Sequence, residues 1–317
     1  MSSEFKPTVI LCFMLRGEDR FDMENPQTIW HEREYLSPCP RIWSACAIAD
    51  TEMKQAKAVG QSLSNIPFAA IYASPLKRAL WTGQAVQEAQ PDPKPPLTVS
   101  PLLREQHFGA AEGHPWQWDQ DPNLTLEEHF ARDLWPVLHE RHQKFPQGES
   151  LDDLFERAKK AIEELIMPHV WQAAREGKKG VHIAVASHGL CISELIPALL
   201  IKDESGIHPG DKYRGLQNTA WTRVTVDVKG LKEGEAMEFP DTEPPKLAVR
   251  VTDVNRHEHL ANVTRQKGGI GRVGYDPKQQ DIRAFFGGAK VEAGAAAPEE
   301  EGRSASNARD EAEVDIH

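Results

Sequence analysis

The run Val181-His-Ile-Ala-Val-Ala186 is followed at once by Ser187-His188-Gly189 and a second apolar stretch, and this junction most constrains how the chain can fold. A short apolar run bounded upstream by a glycine loop, Gly177 to Gly180, fits a strand buried on both faces, the habit of parallel sheets. The following stretch reads as a helix through Leu195 and Ile196, with Pro197 expected to kink it. Where a buried strand stops and a helix starts, His188 lies at the carboxyl end of the sheet, the ligand-binding edge of open α/β folds.

The same alternation runs through the chain. Val9 to Leu15 reads as a buried strand ending at Arg16-Gly17-Glu18, before an irregular segment over 19–48. A helix is expected from Asp50 or Thr51 as cap, with Met53, Ala56, Val59 and Leu63 as its apolar stripe. Phe68 to Ala73 is a second strand, and Ser74-Pro75 reads as the cap and first position of another helix, placing Lys77 and Arg78 in its first turn. A third strand is expected over 97–100. Residues 114–148, with Trp116, Trp118 and Trp135, look like a helical insertion covering a cleft. Ser150 and Asp153 form a capping-box signature ahead of the stripe Leu154, Ala158, Ile162 and Leu165. Residues 218–228 and 246–254 read as further strands. Alternating strands and helices predict one α/β domain over 1–288, and the Ala/Gly/Glu/Ser composition of 289–317 predicts a disordered acidic tail.

Charge and cysteine usage narrow the function classes. The net charge is -11, of which the stretch from Lys290 supplies -5 (eight acids against three bases), and this argues against a general nucleic-acid binder. Cys12, Cys39, Cys46 and Cys191 have no metal-ligand spacing, and Cys12 and Cys191 read as small buried hydrophobes. The polar start, the short first apolar run and the lack of any stretch near ~20 apolar residues predict no signal peptide and no membrane span. The expected setting is reducing and cytoplasmic, with the nucleus as the alternative.

Three residue types could carry chemistry. Arg78 near a helix N-terminus could grip an anion through paired hydrogen bonds, or lie on a solvated face. His188 could face a ligand or bond a neighbouring carbonyl, while Ser187 reads as a helix cap rather than a nucleophile. Glu105 is either a surface carboxylate paired with Arg104 or, if enclosed, a general acid. His107 reads as structural.

Taken together, these pieces resemble the histidine phosphatase superfamily, of the phosphoglycerate mutase and fructose-2,6-bisphosphatase type. The resemblance is carried by Gly17-Glu18, the Gln55-Ala56 helix, Ser74-Pro75-Leu76-Lys77-Arg78-Ala79, Leu103 to Gly109, Glu112-Gly113, Gly148-Glu149-Ser150 and Ser187-His188-Gly189. It spans residues 8–228 most strongly, with an extension of fungal type beyond. It implies a three-layer α/β/α sandwich with a mostly parallel central sheet, like phosphoglycerate mutase. It implies phosphomonoester hydrolysis of a small phosphorylated metabolite through a phosphohistidine, with no cofactor and no metal. In that scheme Arg78 clamps the phosphate, His188 donates to an equatorial oxygen and Glu105 protonates the leaving oxygen. Partners would be phosphate or the metabolite, neither nucleic acid nor membrane; no oligomeric state is implied.

One residue of that scheme is missing. Where the resemblance calls for Arg-His-Gly-Glu the chain reads Leu15-Arg16-Gly17-Glu18: aligned on Gly17, Arg16 occupies the nucleophile position and Leu15 the clamp position, or else Arg16 is the clamp and the histidine is deleted. Arginine stays protonated and has no lone pair to attack phosphorus. Arg16 and Gly17 could still help bind phosphate. Residues 15–52 depart from the pattern as a block. The expectation is therefore weak or absent turnover, with the alternative of a pseudophosphatase that binds phosphate or a phosphorylated partner as a regulatory or scaffold module.

Overall fold

Six strands, β1 (Val9–Leu15), β2 (Phe68–Ala73), β3 (Leu97–Val99), β4 (Val181–Ser187), β5 (Trp221–Val228) and β6 (Leu247–Arg256), form one sheet in the order β3-β2-β4-β1-β5-β6. The computed structural model describes residues 7–15, 53–114, 120–210, 213, 215–261 and 263, with backbone alone for 10–15. β3, β2, β4 and β1 are mutually parallel; β5 runs against β1, and β6 against β5. The sheet is thus mostly parallel, with an antiparallel hairpin-like edge.

Among the described residues six α-helices accompany it: α1 (53–62), α2 (Lys77–Glu88), α3 (Leu126–Ala131), α4 (Leu151–Ala161), α5 (Met167–Arg175) and α6 (Gly189–Leu200). β4 shows why both faces need cover. Successive side chains leave a strand on opposite faces, and Ile183 and Val185 join one apolar core while Ala184 and Ala186 join another. The first core is closed by Leu154 and Ala158 of α4, Val170 and Ala174 of α5, and Ile192, Leu195 and Leu199 of α6. The second is closed by Val59 and Leu63 at α1 and by Val86 of α2. The molecule is an α/β/α sandwich. Each fully buried side chain such as Leu154 or Ile192 contributes roughly 1.5–3 kcal/mol.

Several local expectations meet differences. Met53 is 37% exposed and stands off the stripe that Ala56, Val59 and Leu63 bury; the caps expected at Asp50 or Thr51 lie outside the described residues. The Ser150–Asp153 capping box is present. Beyond α4 the helix widens into a π turn over Ile162–Ile166 before α5, whose first turn contains Pro168. Proline has no N–H to give and crowds the preceding turn, and one extra residue in the turn absorbs that defect. Burial consequently passes to Ile166, while Leu165 is only half-buried. α6 continues past Pro197 to Leu200.

The insertion over 114–148 is not broadly helical. Among its described residues it contains only α3, six residues started by a Thr125–Glu128 capping box. Aromatic packing replaces periodicity there: Phe130 stacks on Trp135 at 5.7 Å, and Phe145 meets both edge-on. This small third core, with Phe108 and Ala111, also touches Leu190 at the start of α6. Trp116 and Trp118 lie outside the described residues, as does the tail over 289–317.

Candidate active site

β4 brings two side chains to the carboxyl edge of the sheet. Ser187, fully buried, donates its hydroxyl hydrogen to the Leu103 carbonyl at 2.8 Å. It does not cap α6, because it is still a strand residue whose side chain is taken up by the turn beside β4. His188 is the N-cap residue of α6, with extended backbone and 1% exposure, and its side chain makes no cap bond.

Both ring nitrogens of His188 are engaged. Arg78 Nε, which can only donate, lies 3.1 Å from His188 Nδ1. Nδ1 is therefore an acceptor, the ring proton sits on Nε2, and Nε2 donates to Ser74 Oγ at 2.8 Å. Ser74 is fully buried, and its own N–H donates to Ala186 O at 2.9 Å, continuing the strand ladder. That bond keeps the backbone extended, so α2 begins only at Lys77, with Leu76 as N-cap and no side-chain cap bond. Ser74 is thus not the expected helix cap, and Pro75 is not the first helical position. Arg78 does fall in the first turn of α2, which carries no acidic residue, so its charge adds to the positive end of the helix dipole.

Glu105 approaches from the other side. It is 3% exposed and makes no surface pair with Arg104 of the kind considered from sequence. Its Oε1 accepts from Gln106 N at 3.0 Å and Cys191 N at 2.9 Å, and its Oε2 from Leu190 N at 3.2 Å. Two of these donors are first-turn amides of α6, so Glu105 supplies the cap that His188 and Ser187 do not. Three N–H donors favour the charged carboxylate. A group that enters a reaction as an acid has the opposite need.

The segment carrying Glu105 is held by Arg157 of α4. Arg157 donates from Nε to Glu149 Oε1 (2.8 Å), from Nη1 to Leu102 O (2.9 Å) and Arg104 O (2.7 Å), and from Nη2 to Glu105 O (3.1 Å) and Glu149 Oε2 (2.8 Å). Burial works against ionisation of Glu149, but the Arg157 fork and the His107 N–H outweigh it and hold its carboxyl below the usual range. Residues 105–109 and 147–149 are zipped further by Gln106 Nε2 to Glu149 O (2.8 Å) and Glu149 N to His107 O (2.7 Å). The two segments are so close that a Cβ on Gly109 (φ +58) would lie 2.2 Å from Pro146 O. His107 is part of this ladder, as its structural reading requires.

The structure therefore brings together Arg78, His188 and, through backbone amides, Glu105. Arg16 and Gly17 lie outside the described residues. β1 ends at Leu15, which pairs with Ser187. Sequence reasoning does not find Ser74, Glu149 or Arg157 as site residues. For Arg157 a signal exists: it flanks the buried stripe of Leu154 and Ala158, where an arginine needs partners. Among the described residues no group of His, Cys, Asp and Glu side chains could hold a metal ion, and no helix is long and apolar enough to cross a membrane.

Comparison with known proteins places this geometry in context. A probable phosphatase of Schizosaccharomyces pombe is 24% identical over 231 residues, covering 73% of this chain and 67% of its own length. A 2,3-bisphosphoglycerate-dependent phosphoglycerate mutase of Gloeobacter violaceus is 25% identical over 55% of this chain and 71% of its own. Among solved structures, mycobacterial glucosyl-3-phosphoglycerate phosphatase with inorganic phosphate aligns with a TM-score of 0.48 at 18% identity, over 80% of this chain and 99% of the other. The family model described as Histidine phosphatase superfamily (branch 1) matches residues 39–233, more than half of the chain. That match begins downstream of β1 and of Arg16-Gly17, and takes in Ser74, Arg78, Glu105 and His188. The chain belongs to the histidine phosphatase superfamily.

Proposed function

We propose that the carboxyl edge of the sheet is a phosphate pocket for a small phosphorylated metabolite, that the reaction native to it is phosphomonoester hydrolysis, and that this chain performs it weakly or not at all. The Arg78–His188 contact is the observation that supports the pocket: a guanidinium at a helix N-terminus, 3.1 Å from a histidine that ends a buried parallel strand. The guanidinium compensates the negative charge that builds up on a phosphoryl group in flight. The names of the relatives, a phosphatase and phosphoglycerate mutases, support a small phosphomonoester as the substrate class.

Hydrolysis through a phosphohistidine needs an imidazole nitrogen to form the N–P bond as the ester P–O bond breaks, a proton for the leaving oxygen, and then water to cleave N–P. Arg78 would hold the phosphate oxygens, and His188, with Nε2–H on Ser74 and Nδ1 accepting from Arg78, would donate to one of them only after turning its N–H from Ser74 or taking up a second proton at Nδ1. Glu105 would give the proton only by first taking one up and exchanging an amide donor. The nucleophile is what the sequence does not supply after β1, where Arg16 follows Leu15. The same substitution supports a second reading. An added guanidinium tightens anion binding without chemistry, which suits a pseudophosphatase that binds phosphate or a phosphorylated partner as a regulatory or scaffold module.

A phosphatase assay of the chain beside its Leu15→Arg, Arg16→His variant tests both readings. The unmodified chain is expected to bind inorganic phosphate and to turn over little substrate. Robust turnover by it would sink the claim of lost catalysis, and absence of phosphate binding would sink the pocket.

A further inference from the structure

We propose that Arg157 is the positioning residue of this pocket: it sets where Glu105 seats on α6 and thereby the orientation of His188. The inference rests on the phosphate-pocket reading only for what the pocket binds. All five N–H groups of the Arg157 guanidinium are used, three of them on the carbonyls of Leu102, Arg104 and Glu105 and two on Glu149. A residue that only balanced one half-buried carboxylate would need the Glu149 fork alone.

The held segment grips both flanks of His188. Leu103 O, inside it, takes the Ser187 hydroxyl at 2.8 Å on the strand side. Glu105 takes the Leu190 and Cys191 amides at 3.2 and 2.9 Å on the helix side. His188 lies between these two attachments and must also keep Arg78 and Ser74 on its two ring nitrogens. Any slip of residues 102–105 is therefore passed to the imidazole. Glu149 adds a branch to the aromatic insertion, because its amide and carboxylate also hold His107. Arg157 thus ties α4, the Glu105 turn and the base of the insertion to one point.

Arg141 provides a matched control. It too makes a bidentate pair with a glutamate, the buried Glu194 of α6, at 3.1 and 2.7 Å, with a further bond to Asp152. Its described bonds run to Glu194 of α6 and to Leu151 and Asp152 of α4. Arg157→Lys and Arg141→Lys are each labelled with ¹⁵N-histidine, His188 being assigned by the signal lost in His188→Gln. Melting temperature and affinity for inorganic phosphate are measured on the same samples. Arg157→Lys is expected to move the ring-nitrogen signals of His188 and to weaken phosphate binding by about tenfold. Arg141→Lys should lower the melting temperature without moving either readout. Unchanged His188 signals in Arg157→Lys overturn the proposal, as do equal shifts in Arg141→Lys. Should Arg157→Lys not fold, Glu149→Gln, which weakens the same fork, is read by the same criteria. If the unmodified chain binds no phosphate the pocket reading fails, and the His188 signals alone still decide the role of Arg157.

Discussion

β1 and β4 lie side by side in parallel register, from Val9 opposite Val181 to Leu15 opposite Ser187, and they end at the same edge of the sheet. Beyond that edge the two diverge. After β4, His188 meets a built environment of Ser74, Arg78 and the Glu105-capped start of α6. After β1 the sequence continues Arg16-Gly17, with no imidazole. The family match covers the end of β4 and not the end of β1. The fold needs from each strand an apolar run that two layers of helices can cover, and both runs satisfy that. The chemistry depends on single residues beyond those runs, and the packing of the core places no demand on them. A sheet of this kind can therefore keep its shape whichever residues stand at those positions.

The largest expected effect restores symmetry between the two ends. Leu15→Arg with Arg16→His should raise phosphomonoesterase turnover at least about a thousandfold, the order of effect set by the presence or absence of a nucleophile. Initial rates on a generic phosphomonoester read this directly. A folded, phosphate-binding double variant that stays inert would show that the β1 edge has lost more than one side chain. Within the active background, Glu105→Gln separates two roles: a proton donor costs about 10²–10⁴ in rate, whereas a helix anchor costs mainly stability.

Next comes the β4 edge itself. Arg78→Ala should weaken inorganic phosphate about tenfold to a hundredfold, since a hydrogen bond to a charged group contributes roughly 1.5–3 kcal/mol and about 1.4 kcal/mol is a factor of ten. Calorimetric titration checks it, with circular dichroism confirming an intact fold. An unchanged affinity would remove Arg78 from the pocket. Ser187→Ala should cost about 1–3 kcal/mol in urea unfolding, because the buried Leu103 carbonyl loses its donor. A neutral result would mean that β4 is not held at its end by that turn.

The contrast between the two strands also explains how much of the molecule is legible in the sequence. The strands and their order of appearance follow from apolar runs, which are local. α4 is legible at both levels, through its capping box and its stripe, until the π turn shifts the stripe by one residue. Ser74-Pro75 reads as a helix start because that dipeptide is a good one. The competing use of the hydroxyl, on His188, is set by a partner 114 residues away. Glu105 reads equally as a surface carboxylate for the same reason: its three donors include Leu190 and Cys191, 85 and 86 residues away. Among its described residues the insertion has only the short α3 for a helical period to mark, and aromatic contacts around Trp135 and Phe130, not a repeating stripe, hold it together. Site residues are least legible where a polar side chain answers to distant backbone.

The smallest expected effect lies in the first turn of α6. Cys191 is fully buried beside the site, and burial pushes its thiol up to about 12, well above the usual thiol range. It should not react with a thiol reagent at pH 8 until the chain unfolds. The linkage has a definite sign. Below about pH 9 the thiol is neutral in both states and has no pH effect. Above it the unfolded chain ionises while the folded chain does not, so stability falls with rising pH by about 1.4 kcal/mol per unit until about pH 12. Measuring urea unfolding of the chain and of Cys191→Ala at pH 8 and pH 10 isolates this group, because the other titrations cancel in the difference. The stability of the chain relative to Cys191→Ala should shrink over that interval. A difference that stays constant would mean that the thiol already meets solvent, and that the start of α6, with the Glu105 cap and His188 beside it, is looser than the β4 edge requires.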